Sequence, residues 1–288
     1  MKVAIVIASV GRPIELARWS EHVRRQSIAP SEVIFSIASD SDLPADFADP
    51  MVRVIRGPKG SCHQRNSGIE ALTTAPDIVA FFDDDYVPGA RCIEGIARVF
   101  ADHADLAGTS GHLLADGIHN AGIDYPSARA MVDRFDAEQT DIDTTLDPAG
   151  DTYGCNMAFR RSAIGDVRFD EHLPLYAWQE DVDFSRRLKG RMARTSAFAG
   201  VHQGAKSGRT MGHKLGYSQV ANPLYLMRKG TMPIGKALWL MTRNVGSNHV
   251  KAFRPEPWVD RKGRVVGNWR AVRDLLTGRM RPDRILDF

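Results

Sequence analysis

The sequence predicts an α/β fold in which a doubly wound, mostly parallel sheet is flanked by helices and followed by a C-terminal helical appendage. Apolar segments of strand length alternate with helix-like segments as far as Asp85, the order expected of such a sheet. The last of these strands runs directly into three aspartates, at the strand end where sheets of this class bind ligands. Beyond about Gly208, aromatic and aliphatic residues recur among basic ones at helical spacing.

Local patterns assign the elements in chain order. A β-branched run predicts a strand buried on both faces over residues 2–8. Further strands are predicted over residues 32–38, 52–55 and 78–82. Pro13 suits the first turn of a helix that extends to about Gln26, and a further helix is predicted over residues 61–71. Residues 107–150 are weakly periodic and are predicted to form irregular strands and loops.

Helices are predicted throughout the C-terminal part. The helical spacing of residues 211–245 is interrupted by Pro223 and Pro233, which predicts a break at each proline. A last helix is predicted from Trp269 to Leu276, since a glycine follows it. We expect this appendage to pack on the α/β domain.

Composition excludes several classes of protein. The chain has 288 residues and a net charge of +3, and its basic residues are scattered, which argues against nucleic-acid binding. Three widely spaced cysteines without a CxxC pair argue against disulfides and zinc and favour a reducing cytoplasm. The sequence has no run of about eighteen apolar residues, so no transmembrane helix is predicted.

The acidic triplet Asp83, Asp84 and Asp85 directly follows an apolar strand. Three carboxylates at one strand end repel one another unless a cation or ordered donors share the site. Hard oxygen ligands of this kind suit Mg²⁺ or Mn²⁺, which would in turn hold phosphate oxygens. A solvated acidic turn is the alternative interpretation.

A second acidic motif, Glu180 and Asp181, lies at the first turn of a predicted short helix. The helix dipole favours carboxylates there, so either they only cap the helix or one of them is a general base. His202, expected after a turn, is either structural or a metal ligand. Arg65 and Asn66 lie early in a predicted helix. Taken alone, they could be any pair of solvated surface residues.

In their order along the chain these motifs resemble glycosyltransferase family 2, an inverting family with the GT-A fold. The resemblance covers roughly residues 1–205. The segments that carry it are Val3–Pro13, Gln64–Ile69, Phe81–Asp85, Gly154–Arg161, Phe169–Glu171, Glu180–Leu188 and Val201–His202.

The resemblance implies a role for each matched residue. Asp85, together with His202 and Asp83, would hold a divalent cation, Mn²⁺ or Mg²⁺. Asp181 would be the catalytic base, with Glu180 supporting it. The residues expected to bind the donor are Ala8, Ser9, Arg12, Asp40, Arg65, Asn66, Asp83 and Asp84. Those expected to bind the acceptor are Trp178 and Asn156.

The activity implied is metal-assisted transfer of a sugar, with inversion, from a nucleotide-diphosphate sugar to a hydroxyl of a saccharide or lipid-linked acceptor. The implied domains are a catalytic domain over residues 1–208, with a donor half (about 1–105) and an acceptor half (about 106–208), and an extension over 209–288. The family-level expectation is a cytoplasmic role in building a bacterial surface polysaccharide or glycolipid. One departure is that Ser36–Ser39 lacks the Asp with which the family usually reads the nucleobase, so UDP, dTDP and GDP donors stay open.

Two other functions stay open. A sugar-phosphate nucleotidyltransferase would share the core, but residues 8–13 lack the Gly-rich loop with Arg and Lys expected of one. A non-catalytic carbohydrate-binding or scaffold protein on the same fold is the other, and the intact Asp85, Asp181 and His202 argue against it.

The C-terminal helices add a hypothesis about location. Leu224–Met227 and Ala237–Met241 are apolar and flanked by Lys and Arg. They would lie peripherally on the inner membrane face, or else pack on the catalytic domain.

Overall fold

The computed structural model describes residues 1–207 and 211–288, which fall into two compact units. The first unit comprises residues 1–59, 63–168 and 188–207, and the second comprises residues 60–62, 169–187 and 211–288. The second unit therefore includes a segment from the middle of the chain. The predicted domain boundary between residues 208 and 209 lies outside the described residues, so this division of the chain stays a prediction.

The strands of the first unit form one mixed sheet. They are β1 (Val3–Ser9), β2 (Glu32–Ile37), β3 (Arg53–Arg56), β4 (Ile78–Asp83), β5 (Tyr86–Pro88), β6 (Leu106–Asp116), β7 (Leu146–Pro148), β8 (Asn156–Arg160) and β9 (Arg191–His202). Their order is β3-β2-β1-β4-β8-β6-β9-β5, and β7 pairs with β9. β1 is parallel to β2 and β4, and β2 is parallel to β3, which confirms the predicted parallel arrangement of the first four strands. β8 is antiparallel to both of its neighbours.

The helices alternate with these strands and then continue alone. They are α1 (Pro13–Arg24), α2 (Ser61–Glu70), α3 (Cys92–Asp102), α4 (Tyr125–Glu138), α5 (Arg161–Ile164), α6 (Glu180–Arg187), α7 (Gly212–Lys229), α8 (Ile234–Lys251) and α9 (Arg261–Leu276). The predicted elements as far as β4 are confirmed, with small shifts at their ends. Among the described residues, no helix is both long enough and apolar enough to cross a membrane.

The prediction of irregular strands and loops over residues 107–150 was wrong in part, because α4 lies there. β6 agrees with it, since its pairing with β9 has register shifts. Only Ala128 and Val132 of α4 are buried, so the apolar periodicity of this helix is too weak to mark it. A signal was nevertheless present, since Asp124 caps the helix by accepting a hydrogen bond from the Ser127 N–H at 2.9 Å.

The C-terminal predictions need two corrections. The break expected at Pro223 was wrong, because this proline lies inside α7. An internal proline costs about 3 kcal/mol, and burial of its neighbours Val220 and Ala221 in the core of the second unit offsets that cost. The break at Pro233 is confirmed, since α8 begins directly after it. The last helix begins at Arg261, well before the predicted start.

Small residues let α7 and α9 cross closely. A Cβ on Gly216 would lie 2.1 Å from a main-chain oxygen of α9, and a Cβ on Gly267 would lie 2.0 Å from a main-chain oxygen of α7. The buried Asn268 donates a hydrogen bond to the Gly216 carbonyl at 2.7 Å. Asn248 of α8 donates to Asn268 Oδ1 at 3.1 Å. Buried polar contacts therefore join the three helices in addition to their apolar packing.

His22 of α1 makes the stability of the first unit depend on pH. Burial, and then the nearby charges of Arg25 and Arg18, lower its pKa from 6.5 to about 3. Between those two values the unfolded chain binds a proton that the folded chain excludes, so stability is lost as the pH falls. From pH 7.5 to pH 5 we expect His22 to lower the free energy of unfolding by about 2 kcal/mol.

Chemical denaturation of the His22→Gln variant at both pH values measures this contribution. The variant should lose about 2 kcal/mol less than the wild type on acidification. His119, which is exposed, supplies the control, because His119→Gln should lose as much as the wild type. Equal losses in His22→Gln and the wild type would show that His22 is not the titrating group.

Candidate functional site

The acidic triplet forms the connection between β4 and β5. Asp83 is the last residue of β4 and pairs in register with Ala8 at the end of β1. Asp84 and Asp85 make the turn that leads into β5, and both are buried. Their burial excludes the solvated acidic turn as an account of this motif.

His202 is the last residue of β9 rather than a residue beyond a turn, which corrects its expected placement. In the sheet register it lies opposite Tyr86 of β5 on one side and Asp116 of β6 on the other. Because β5 begins immediately after the acidic turn, this register brings the imidazole of His202 to the triplet.

Asp83, Asp85 and His202 form a group that could hold a metal ion, with one ligand atom of each within 4.8 Å of the others. His202 Nε2 lies 3.4 Å from Asp85 Oδ1 and 3.9 Å from Asp83 Oδ2. Asp85 Oδ2 accepts a hydrogen bond from the Ala205 N–H at 2.7 Å, whereas the buried Oδ1 has no well-aligned hydrogen-bond donor among the described residues, only the His202 contact at 3.4 Å. A buried carboxylate oxygen without a well-aligned donor is costly. These residues therefore fit a divalent cation such as Mn²⁺ or Mg²⁺.

Asp116 orients the histidine and was missed by the sequence analysis. Its Oδ1 lies 2.8 Å from His202 Nδ1, and its Oδ2 accepts a hydrogen bond from the Tyr153 hydroxyl at 2.9 Å. Burial disfavours a charged imidazole, but the carboxylates of Asp116 and Asp85 outweigh it and raise the pKa of His202 to about 10. Binding of a cation to Nε2 would therefore have to displace the proton from that nitrogen. A carboxylate on the far ring nitrogen of a ligand histidine fixes its orientation and leaves the other nitrogen for the metal.

Asp84, the middle residue of the triplet, holds the acidic turn in place through hydrogen bonds to neighbouring elements. Its Oδ2 accepts a hydrogen bond from Ser9 Oγ at 2.6 Å, and its Oδ1 accepts one from Arg12 Nη1 at 2.7 Å. Its main-chain carbonyl accepts a third from Trp19 Nε1 at 3.1 Å. Arg12 Nη1 also lies 3.3 Å from Asp85 Oδ2. Ser9 and Arg12, both predicted at the donor site, therefore contact the acidic turn directly.

Arg65 of α2 places a buried cation beside the triplet. Its Nη2 donates to Asp83 Oδ1 and to the Gly154 carbonyl, both at 3.1 Å. Asn66, the next residue of α2, is also buried. The pair is therefore not the solvated surface pair that the motif alone allowed.

Asp40 and Asp42, after β2, have different surroundings. Asp40 is exposed and forms an ion pair with Arg56. Asp42 is buried and accepts hydrogen bonds from the N–H of Gly11 at 2.7 Å and of Ala38 at 3.0 Å. Asp42 therefore fixes the turn after β1, a role that the sequence analysis did not identify. The donor role of Asp40 stays a prediction.

The residues predicted at the acceptor belong to different units. Asn156 begins β8, is fully buried and donates to the Gly111 carbonyl at 3.0 Å. Trp178 is half-buried in the second unit, where its carbonyl accepts a hydrogen bond from the buried Asn222 of α7 at 2.9 Å. Their acceptor roles stay predictions.

Glu180 and Asp181 form the first turn of α6 in the second unit, as predicted, and both are buried. Asp181 Oδ1 accepts a hydrogen bond from the Val182 N–H at 2.8 Å. The segment before α6 is strained, because three of its non-glycine residues have positive φ angles. They are Leu175 (58°), Ala177 (51°) and Gln179 (77°). Strain of this kind persists only where the surrounding structure enforces it, and it concentrates at functional sites.

Sequence comparison identifies the family. The pattern of glycosyl transferase family 2 matches residues 4–168, more than half of the chain. The chain belongs to glycosyl transferase family 2. This confirms the resemblance seen in the motifs, and with it an enzyme family and a sheet of GT-A type. The acidic triplet lies within the matched range, whereas Asp181 and His202 lie beyond it.

The chain is similar to YwdF of Bacillus subtilis (strain 168), an uncharacterized glycosyltransferase. It is 29% identical over 180 residues, which are 60% of this chain and 64% of YwdF. The chain thus spans less than two thirds of the length of that relative. Among solved structures, the crystal structure of S. aureus TarS 1-349 aligns with a TM-score of 0.47 at 11% identity, covering 96% of this chain and 92% of that one.

Proposed function

We propose that this family 2 member is an inverting glycosyltransferase that moves a sugar from a nucleotide-diphosphate sugar to a hydroxyl of a saccharide or lipid-linked acceptor. The observation that carries the proposal is the group of Asp83, Asp85 and His202, in which the buried Asp85 Oδ1 has no well-aligned hydrogen-bond donor among the described residues. A divalent cation there, Mn²⁺ or Mg²⁺, would neutralise the charge that grows on the leaving diphosphate. Family membership supports the nucleotide-sugar donor.

The proposed donor site is built around this group. Asp85 and His202 would be the principal ligands of the cation, with Asp83 beside them and Asp116 orienting the imidazole. The buried guanidinium of Arg65 adds a positive charge where the diphosphate would lie. The full proposed donor set is Ala8, Ser9, Arg12, Asp40, Arg65, Asn66, Asp83 and Asp84. Trp178 and Asn156 are proposed at the acceptor, where the Trp178 ring offers an apolar face to a sugar.

Asp181 is the proposed base. It takes the proton of the acceptor hydroxyl while that oxygen forms a bond to the anomeric carbon. The bond from the anomeric carbon to the diphosphate oxygen breaks on the opposite face, and the nucleoside diphosphate leaves with the bonding electron pair. Glu180, its neighbour in the same helical turn, would support the carboxylate. One displacement inverts the anomeric configuration, and retention in the product measured by NMR would refute this mechanism.

The proposed compartment is the cytoplasm. Cys62, Cys92 and Cys155 are all buried, and they are widely spaced in the sequence without a CxxC pair, which suits a reducing environment. The proposed biological role is synthesis of a bacterial surface polysaccharide or glycolipid, which rests on family membership.

Binding of nucleotides with and without metal tests the donor site. UDP, dTDP and GDP would be compared by thermal shift and calorimetry, each with and without Mn²⁺. One nucleotide should stabilise the fold in the presence of metal, by about 2.7 kcal/mol at a hundredfold excess over its dissociation constant. Asp85→Asn should abolish the metal-dependent part of this stabilisation. Asp116→Asn should weaken Mn²⁺ affinity by roughly tenfold or more. Asp147→Asn, at an exposed position of β7, is the matched control and should change neither.

Three outcomes would count against the proposal. Absence of a shift with every nucleotide would favour a non-catalytic carbohydrate-binding protein. A shift of equal size without metal would contradict the role of Asp85 and His202. Binding of nucleoside triphosphates with release of pyrophosphate in the presence of a sugar phosphate would indicate a nucleotidyltransferase.

A further inference from the structure

The outer face of α8 is apolar and exposed. Its apolar members recur at helical spacing and are 49% to 73% exposed. They are Ile234, Leu238, Trp239 and Val250. Gly235 and Gly246 lie on the same face, and a Cβ on either would meet no described atom within 4 Å. These residues, with Thr242 and Arg243, are called the α8 face below.

The opposite side of α8 supplies the packing of the second unit. Ala237, Leu240 and Asn248 are buried, and Met241 and Val245 pack against the core cluster of that unit. The apolar residues of the α8 face are therefore additional to those that the core requires. Exposed aromatic residues on a helix that already has a buried side mark an interaction surface.

Further apolar residues are exposed on α9 and just beyond α8. His249 of α8 contacts the exposed Trp269 of α9 edge to face, with 5.9 Å between ring centroids. Phe253, just beyond α8, is 89% exposed. On α9, Val266 and Leu276 are also exposed. Exposed apolar residues in this unit are therefore not confined to α8.

The segment that contains α8 carries basic residues and no acidic ones. Between residues 228 and 255 the chain has no Asp or Glu. The basic residues of this range are Arg228, Lys229, Lys236, Arg243, Lys251 and Arg254, of which Lys229 and Lys251 form ion pairs with acids outside the range. Within the α8 face, the Arg243 guanidinium lies 4.4 Å from the centroid of the Trp239 ring. An aromatic ring next to a cationic side chain suits the interface between the hydrocarbon core of a membrane and its anionic headgroups.

We propose that the α8 face docks on an anionic phospholipid surface. A helix with an aromatic and aliphatic face and basic flanks inserts its apolar side into the headgroup region, and anionic lipids strengthen that binding. A second copy of the chain fits less well, because a symmetric contact would bring Arg243 of both copies together on a helix that has no Asp or Glu. The membrane contact is independent of the proposed sugar transfer.

This assignment also corrects the segments first expected at the membrane. Leu226 is buried and Leu224 packs against the core of the second unit, so Leu224–Met227 does not supply the face. Of Ala237–Met241, only Leu238 and Trp239 are exposed.

Vesicle binding of the full chain tests the proposal. Co-sedimentation would compare vesicles of phosphatidylcholine alone with vesicles of equal parts phosphatidylcholine and phosphatidylglycerol. Binding should require the anionic lipid and weaken as NaCl rises from about 0.1 M to about 1 M, because the screening length falls from roughly 10 Å to 3 Å. The fluorescence of Trp239 should shift to the blue on binding.

Two pairs of variants separate the apolar from the charged contribution. Leu238→Ser combined with Trp239→Ser should weaken vesicle binding at least tenfold, and Arg243→Gln should weaken it by roughly fivefold. The matched controls lie in the first unit, where Met131 of α4 and Arg98 of α3 are similarly exposed. Met131→Ser and Arg98→Gln should bind as the wild type does. All five residues are exposed, so folding should be retained, and thermal denaturation checks it.

Several results would overturn the proposal. One is binding to phosphatidylcholine alone that is as strong as binding to the anionic vesicles. Another is unchanged binding of the variant that carries both serines. A third is absence of vesicle binding together with a dimer in light scattering that this variant dissociates, which would assign the face to a second copy.

Discussion

Asp181→Asn is expected to lower kcat by about a thousandfold while leaving nucleotide binding intact. Asparagine matches the shape of the carboxylate but cannot accept the proton of the attacking hydroxyl. The Val182 N–H that donates to Asp181 Oδ1 can donate equally well to an amide oxygen, so the first turn of α6 should be preserved. The loss should therefore fall on kcat rather than on stability.

Release of nucleoside diphosphate from the donor measures this effect even before an acceptor is known, because water can replace the acceptor hydroxyl. The donor would be the sugar derivative of whichever nucleotide binds with Mn²⁺. Glu180→Gln is the matched control, since it changes the adjacent buried carboxylate in the same turn. It should lower kcat by much less. Equal losses in both variants, or a shift in nucleotide affinity in Asp181→Asn, would contradict the assignment of Asp181 as the base.

Part of this site could be predicted from sequence because the signals were local. An apolar strand followed by Asp83, Asp84 and Asp85 predicts both the strand and the acids at its end. Glu180 and Asp181 likewise indicate the first turn of a helix, because acidic residues are favoured there, and they do begin α6. In both cases the residues that define the element also carry the candidate chemistry.

The parts that could not be predicted depend on strand register. Asp116 reaches His202 only because β6 and β9 are adjacent and aligned, although the two residues are 86 positions apart. Asp42 reaches Gly11 only because β2 lies beside β1. A single sequence carries no pattern for contacts of that kind. The expected placement of His202 after a turn and the expected break at Pro223 were wrong for a related reason, since tertiary packing overrode the local turn and proline signals.

We expect substitution of Asp183 to cause the largest loss of stability. It lies in α6 with its carboxylate fully buried, and it accepts hydrogen bonds from three side chains of the second unit. The donors are Arg187 Nε at 2.9 Å, Lys229 Nζ at 2.9 Å and Thr231 Oγ1 at 2.8 Å. Removing one partner of a buried ion pair costs about 3–5 kcal/mol, because the remaining charge is left without compensation.

Asp183→Ala should lower the free energy of unfolding by about 3 kcal/mol, near the low end of that range, because Lys229 keeps its second contact with Asp170. Asp183→Asn should cost less, since its amide oxygen can still accept a hydrogen bond. Asp283→Ala is the matched control, because this aspartate pairs with Arg281 at the surface of the same unit and should contribute at most about 1 kcal/mol.

Denaturant titration of the three variants measures these differences. If Asp183→Ala and Asp283→Ala lost equal amounts, burial would not be the source of the effect. A double-mutant cycle between Asp183 and Lys229 isolates their coupling, which should be a substantial part of the loss because both groups have defined geometry. Asp181 and Asp183 lie two residues apart in α6. We expect Asp181→Asn to lose turnover and Asp183→Ala to lose stability, so the two variants separate catalysis from folding within one helical turn.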